Sequence, residues 1–186
     1  MRYVTLQTRS LFISAGHSDT DPGAKGNGYT EADIVSELRD LVSDALRRRG
    51  VVFSKDGDRG QNLPLRQAVQ MARTFDIAVE FHCNSFSSPS ATGVETLSSS
   101  KHFPLGQEIC TTISNVLGIS NRGAKGESSG QHSRLAFIRD GGGIIVELFF
   151  ISNPKDVRKY LDNKQELVEA LADVLTEAVA TTYGRE

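Results

Sequence analysis

The chain has 186 residues and a mass of 20.2 kDa, a length that favours one domain with a core of its own. With 38% hydrophobic and 24% charged residues, a net charge of -2 and a pI near 6.1, it is neither disordered nor fibrous. It carries no basic field to draw nucleic acid or anionic lipid, and no apolar run reaches the roughly 18 residues of a membrane helix. Neither a nucleic-acid partner nor stable membrane insertion is expected.

The first ten residues, Met1 to Ser10, lack the unbroken apolar stretch of a secretory signal. Leu11-Phe12-Ile13-Ser14 is a short apolar run ended by Ala15-Gly16-His17, a buried strand passing into an Asp- and Gly-rich loop from Ser18 to Tyr29. Thr30 with Asp33 three residues on marks a helix start. Ile34, Val35, Leu38, Leu41, Val42, Ala45 and Leu46 then recur at helical spacing until Gly50. Val51–Phe53 reads as a second strand, and a helix is predicted from about Pro64 through Ala72. Ile77–His82 and Gly93–Leu97 are the next strands, followed by a helix from about Pro104 to Leu117. Leu135–Ile138 and Ile144–Phe149 flank a glycine-containing turn, and the apolar spacing from Leu161 to Val179 closes the chain as a helix. Strands alternating with helices, several of them uniformly apolar, predict an α/β fold: a single twisted, mostly parallel or mixed β-sheet flanked by helices on both faces. Cys83 and Cys110 lack any Cys-x-x-Cys spacing and read as two buried thiols, with a single bridge between them left open.

Ligands in such sheets gather where strands end. His17 follows the first strand and His82 closes the third, while Glu147 lies inside the most apolar strand, between Val146 and Leu148. An ionised carboxylate there is costly unless paired, hydrogen-bonded or beside a metal. Glu31 sits in the first turn of the long helix, where the dipole keeps a carboxylate charged. Two imidazoles and one carboxylate are a donor set that Zn²⁺ accepts, with a fourth position open for water. Each residue alone also has a plainer reading: a hydrogen-bonded histidine at a strand end, a carboxylate serving the helix dipole, an acid on a wet strand face. Asn84 and His132 are candidate substrate contacts, the first past the third strand and the second in the Gly- and Ser-rich stretch after Gly126. No His-Glu-x-x-His is present, which excludes the familiar zinc-peptidase helix.

Gly16-His17, Asp21-Pro22-Gly23-Ala24, Gly28 and Glu31 together resemble the opening motif of the zinc-dependent N-acetylmuramoyl-L-alanine amidases, enzymes of bacterial walls and phage endolysins. Leu65-x-x-x-Val69-x-x-Ala72 with Arg66, then Glu80-Phe81-His82-Cys83-Asn84, is similar to the family's arginine-bearing helix and histidine strand. Asn121-Arg122-Gly123 and the run from Val146 to Pro154 resemble its last two motifs. The resemblance implies one zinc ion on His17, Glu31 and His82, Glu147 as catalytic acid and base, and peptidoglycan as substrate. A related zinc peptidase or amidohydrolase acting on another wall-derived amide is the alternative. It also implies that residues 1–186 form a single catalytic amidase domain, a monomer without a wall-binding module. The short passage from Leu97 to Pro104 leaves no room for a regulatory-helix insertion, so the cleft is expected to stand open. Without a secretory signal, such a chain is expected to act at the wall as a compact endolysin does. A cytoplasmic or trimmed periplasmic amidase is the competing origin.

Overall fold

The structure is a computed structural model and describes residues 8–17, 20–58, 61–129 and 135–180. In chain order its strands are β1 (Leu11–Ala15), β2 (Lys25–Gly26), β3 (Tyr29–Thr30), β4 (Phe53–Lys55), β5 (Ile77–Asn84), β6 (Val94–Ser98), β7 (Asn121–Gly126) and β8 (Ile144–Phe150). Its α-helices are α1 (Glu31–Arg48), α2 (Leu65–Ala72), α3 (Phe103–Leu117), α4 (Ala136–Arg139) and α5 (Pro154–Ala180). Six strands form one sheet in the order β4-β1-β5-β8-β6-β7, and β2 with β3 makes a small antiparallel ribbon. β4, β1, β5 and β8 run parallel, whereas β6 is antiparallel to β8 and carries β7 parallel to itself. Of the two arrangements that the pattern leaves open, mostly parallel or mixed, the sheet is mixed, with one antiparallel pairing among parallel ones.

Side chains alternate across a strand, and each strand here uses the two faces differently. Leu11 and Ile13 of β1, Ile77, Val79 and Phe81 of β5, and Ile144, Val146 and Leu148 of β8 face a large core closed by α1, α3 and α5. Phe12, Ala78 and Ile145 point the other way into a smaller core with Ala72, Phe137 and Ile138 of α2 and α4. Farther along the parallel strands that second face turns polar: Ser14, Glu80, His82 and Glu147 follow at two-residue steps. β6 runs antiparallel to β8 and brings Glu95 opposite Glu147. Half the face is core and the other half is chemistry.

Helix ends follow their residues. Thr30 caps α1, its Oγ1 accepting from the Asp33 N–H at 3.2 Å. At the far end the Val51 N–H bonds the Leu46 carbonyl and the Gly50 N–H bonds that of Arg47, with Gly50 at φ +73°. That exit consumes Val51 and Val52, so the second strand begins at Phe53 rather than Val51, and Val52 is left 87% exposed. Leu135–Ile138 is no partner strand for β8. Most of it forms the short helix α4, whose Phe137 and Ile138 fill the smaller core. β7, for which the sequence carries no apolar signal, is a polar strand at the sheet edge. Cys83 and Cys110 are buried free thiols.

Candidate metal centre

β1 delivers His17 just past its end, with the Gly16 N–H still bonded to the Phe81 carbonyl at 2.8 Å. Glu31 is the first residue of α1 and is buried. Its carboxylate accepts the Ala24 N–H at 3.0 Å and the Cys83 N–H at 2.9 Å. The same two oxygens face His17 Nε2 and His82 Nδ1, each at 3.0 Å. The imidazoles stand nearly perpendicular, centroids 5.2 Å apart. One donor atom from each of His17, Glu31 and His82 lies within 4.8 Å of the others, so this cluster could hold a metal ion.

The far side of each imidazole is engaged as well. His17 Nδ1 meets Asp21 Oδ2 at 3.1 Å, and His82 Nε2 meets Glu80 Oε1 at 3.0 Å. A carboxylate behind a histidine fixes its tautomer and raises the basicity of the ring nitrogen left for a metal. Two glycines make room for the rings. A Cβ on Gly16 would fall 2.2 Å from His82 Cε1, and one on Gly23, at φ +64°, would fall 2.6 Å from His17 Cδ2 and 2.7 Å from a Glu31 oxygen.

Electrostatics agree with a cation. Burial opposes ionisation of Glu31, but hydrogen bonds from His17 and His82 outweigh it and hold the carboxyl far below its ordinary value. Burial likewise opposes a charge on His82, yet Glu31 and Glu80 push its pKa well above 6.5. The bond to Glu31 raises His17 too, against burial. The carboxylates on either side of each ring therefore favour its charged form. The donor set fits zinc in type and number: two imidazoles and one carboxylate.

Glu147 stands opposite His82 across the β5–β8 pairing. Its Oε2 is buried and has no hydrogen-bond partner among the described residues. Burial raises its pKa to about 7, with Glu31 and Glu95 adding to the rise and His82 opposing it. The centre opens into a cleft of about 280 Å³ lined by His17, Glu31, His82, Asn84, Glu95 and Glu147, among others. β5 runs two residues past His82, the end expected from the sequence, so Asn84 closes it; Asn84 lines the cleft and donates to Glu95 Oε1 at 3.2 Å. His132 lies outside the described residues. Arg66 is exposed on α2. His102 precedes α3 and faces the Gly142 carbonyl at 3.0 Å.

Two acids of the site were not singled out by the sequence. Glu80 is nearly as buried as the core, and the two-residue step from His82 along an apolar strand was the signal that could have found it. Glu95 is buried too. Burial opposes its charge, but Lys125 Nζ at 2.7 Å and Arg122 Nε at 2.6 Å keep it ionised and its pKa low.

A mixed α/β sheet that gathers two imidazoles, an ionised carboxylate and a second carboxyl with one oxygen unpartnered among the described residues offers the donor set and the general base that hydrolytic metal sites use. The family profile of the N-acetylmuramoyl-L-alanine amidases matches residues 11–179, and the chain belongs to that family. A crystal structure from Neisseria meningitidis assigned to these amidases is 37% identical, with a TM-score of 0.83 over 91% of this chain and 94% of that one. The uncharacterized protein YqiI of Bacillus subtilis is 29% identical over 187 residues, covering 97% of this chain and 87% of its own. N-acetylmuramoyl-L-alanine amidase LytC of the same organism is 28% identical over 161 residues, where 81% of this chain matches 31% of LytC.

Proposed function

We propose that this chain hydrolyses the amide between N-acetylmuramic acid and L-alanine in peptidoglycan, using one zinc ion held by His17, Glu31 and His82, with Glu147 as general base and then general acid. The observation that carries the reading is Glu147: a carboxyl oxygen buried without a partner, across the sheet from His82, in a chain of the amidase family. Bound in this donor set, the ion supplies Lewis-acid chemistry, polarising the amide carbonyl and making a water more acidic. Glu147 Oε2 takes the proton of the water that attacks the lactyl carbonyl. It then returns that proton to the alanine nitrogen, which leaves poorly as an anion. A carboxyl poised near neutrality can do both, and the burial that leaves Glu147 unsolvated is what poises it. His17 and His82 serve as neutral donors, each steadied from behind by Asp21 or Glu80.

β6 passes to α3 through the single turn Ser100–His102. The cleft is therefore expected to work without an activator protein, and purified chain alone should digest peptidoglycan. Mass spectrometry of the products should find intact stem peptides with a new L-alanine amino terminus and glycan with free lactyl groups. Cleavage at any other bond would refute the assignment. Glu147→Gln should bind zinc as tightly as the unsubstituted protein while losing roughly a hundred- to ten-thousand-fold in turnover, the usual worth of a positioned base.

A further inference from the structure

Arg39 lies on α1 two turns beyond Glu31 and has no exposed surface. A buried guanidinium is tolerated only when its N–H groups find acceptors, and these acceptors lead in two directions. Nη1 donates both to Asp56 Oδ1 at 3.0 Å and to Asn62 Oδ1 at 2.7 Å. Nη2 donates to the Gln61 carbonyl and to Asp40, and Nε to Asp40 as well.

One branch runs to His82. The Ser14 hydroxyl lies 2.6 Å from Asp56 Oδ2 and 3.0 Å from Glu80 Oε2, and Glu80 Oε1 lies 3.0 Å from His82 Nε2. Ser14, Asp56 and Glu80 are each at most 2% exposed, so this chain of contacts is shielded from solvent. The other branch runs to His17. With Asn62 Oδ1 committed to Arg39, its Nδ2 faces the carbonyls of Ala15 and His17, at 2.5 and 2.7 Å. His17 has φ +67°, a backbone conformation unfavourable for a residue with a side chain, and the Asn62 amide pins the peptide that follows it.

We infer that Arg39 is a positioning residue that orients both histidines of the metal centre, His82 through Asp56, Ser14 and Glu80, and His17 through Asn62. This rests on the reading of His17, Glu31 and His82 as a zinc site. The guanidinium suits the task because its rigid fork serves several divergent acceptors, which a point-charge ammonium cannot match. Outer partners that orient histidine ligands are worth ten- to a hundred-fold in metal affinity.

The test measures zinc affinity of the full chain, stripped of metal, by competition with a chelating dye. R39K keeps a positive charge for Asp56 but loses the fork. S14A cuts only the His82 branch. N62D keeps an acceptor for Arg39 and removes the donor to the His17 carbonyl. Each should weaken zinc roughly ten- to a hundred-fold. S14A and N62D together should multiply their losses, whereas R39K combined with either should lose less than the product, because they share a branch. The d–d spectrum of the cobalt-loaded protein should change in all three, and urea unfolding of the metal-free forms provides the stability control. Unchanged zinc affinity in S14A and N62D would overturn the inference, as would affinity losses that merely track loss of metal-free stability. If the unsubstituted chain binds no zinc, the metal-centre reading itself fails, an outcome visible before any variant is compared.

Discussion

Glu147 and His82 carry the protonation that burial and neighbouring carboxylates impose on the centre. With no metal bound, both hold protons above their ordinary values: Glu147 at about 7 against 4.5, chiefly from burial, and His82 well above 6.5, where the Glu31 and Glu80 carboxylates outweigh burial. Between the unfolded and folded values the native chain binds more protons than the unfolded one, so its stability falls as pH rises. Glu31, held low, stays ionised through this range and adds no slope. The chelated protein should therefore show a lower urea midpoint at about pH 8 than at about pH 6, and Glu147→Gln should shrink the difference. A midpoint that rises with pH would contradict this protonation pattern. Zinc should reverse the trend, because donors must shed protons to bind it. Gly16→Ala tests the space rather than the charge. Its Cβ would fall 2.2 Å from the His82 ring, which must move, so zinc affinity and hydrolysis should both drop at least tenfold.

α1 carries Glu31 at one end and Arg39 in its middle, so its boundaries matter to the centre. Thr30→Ala removes the acceptor for the Asp33 N–H and should cost about 1 kcal/mol of stability in urea unfolding. Zinc affinity should fall with it, because Glu31 lies in the turn that frays. Arg49→Ala should matter less. Its bonds to Glu169 and Asp173 join the end of α1 to α5 at the surface, where solvent screens such pairs. Both ends of α1 were legible in Thr30, Asp33 and Gly50, since caps and exits are written in neighbouring residues. β4 was displaced by two residues because Val51 and Val52, apolar enough for a strand, are spent on the helix exit. α4 and β7 escaped for opposite reasons. Leu135–Ile138 is apolar because it caps a core rather than because it pairs. β7 is polar because an edge strand needs little apolar surface.

The last strand, β8, inserts between β5 and β6 and so sets Glu147 between His82 on one side and Glu95 on the other. Because the site joins β1, α1, β5 and β8, a cation bound there should tighten the whole molecule. Free zinc at about a hundred times its Kd should raise unfolding stability by about 2.7 kcal/mol, and chelation should remove that gain. Calorimetry with and without chelator checks it, and an unchanged melting temperature would show that zinc does not bind the folded chain preferentially. The α/β class, the spans of α1 and, within a residue, β8, the start of β5, and the candidacy of His17, Glu31, His82 and Glu147 were all present in the amino-acid order. Apolar periodicity and a polar residue that interrupts it are properties of adjacent positions. Strand order, the burial of Glu80 and Glu95, and the reach of Arg39 to both histidines were not. They depend on contacts such as Ser14 with Glu80, 66 residues apart, which arise when chain crossovers bring distant strands into register. Local pattern can mark such a residue as unusual, but which partner satisfies it is settled by packing.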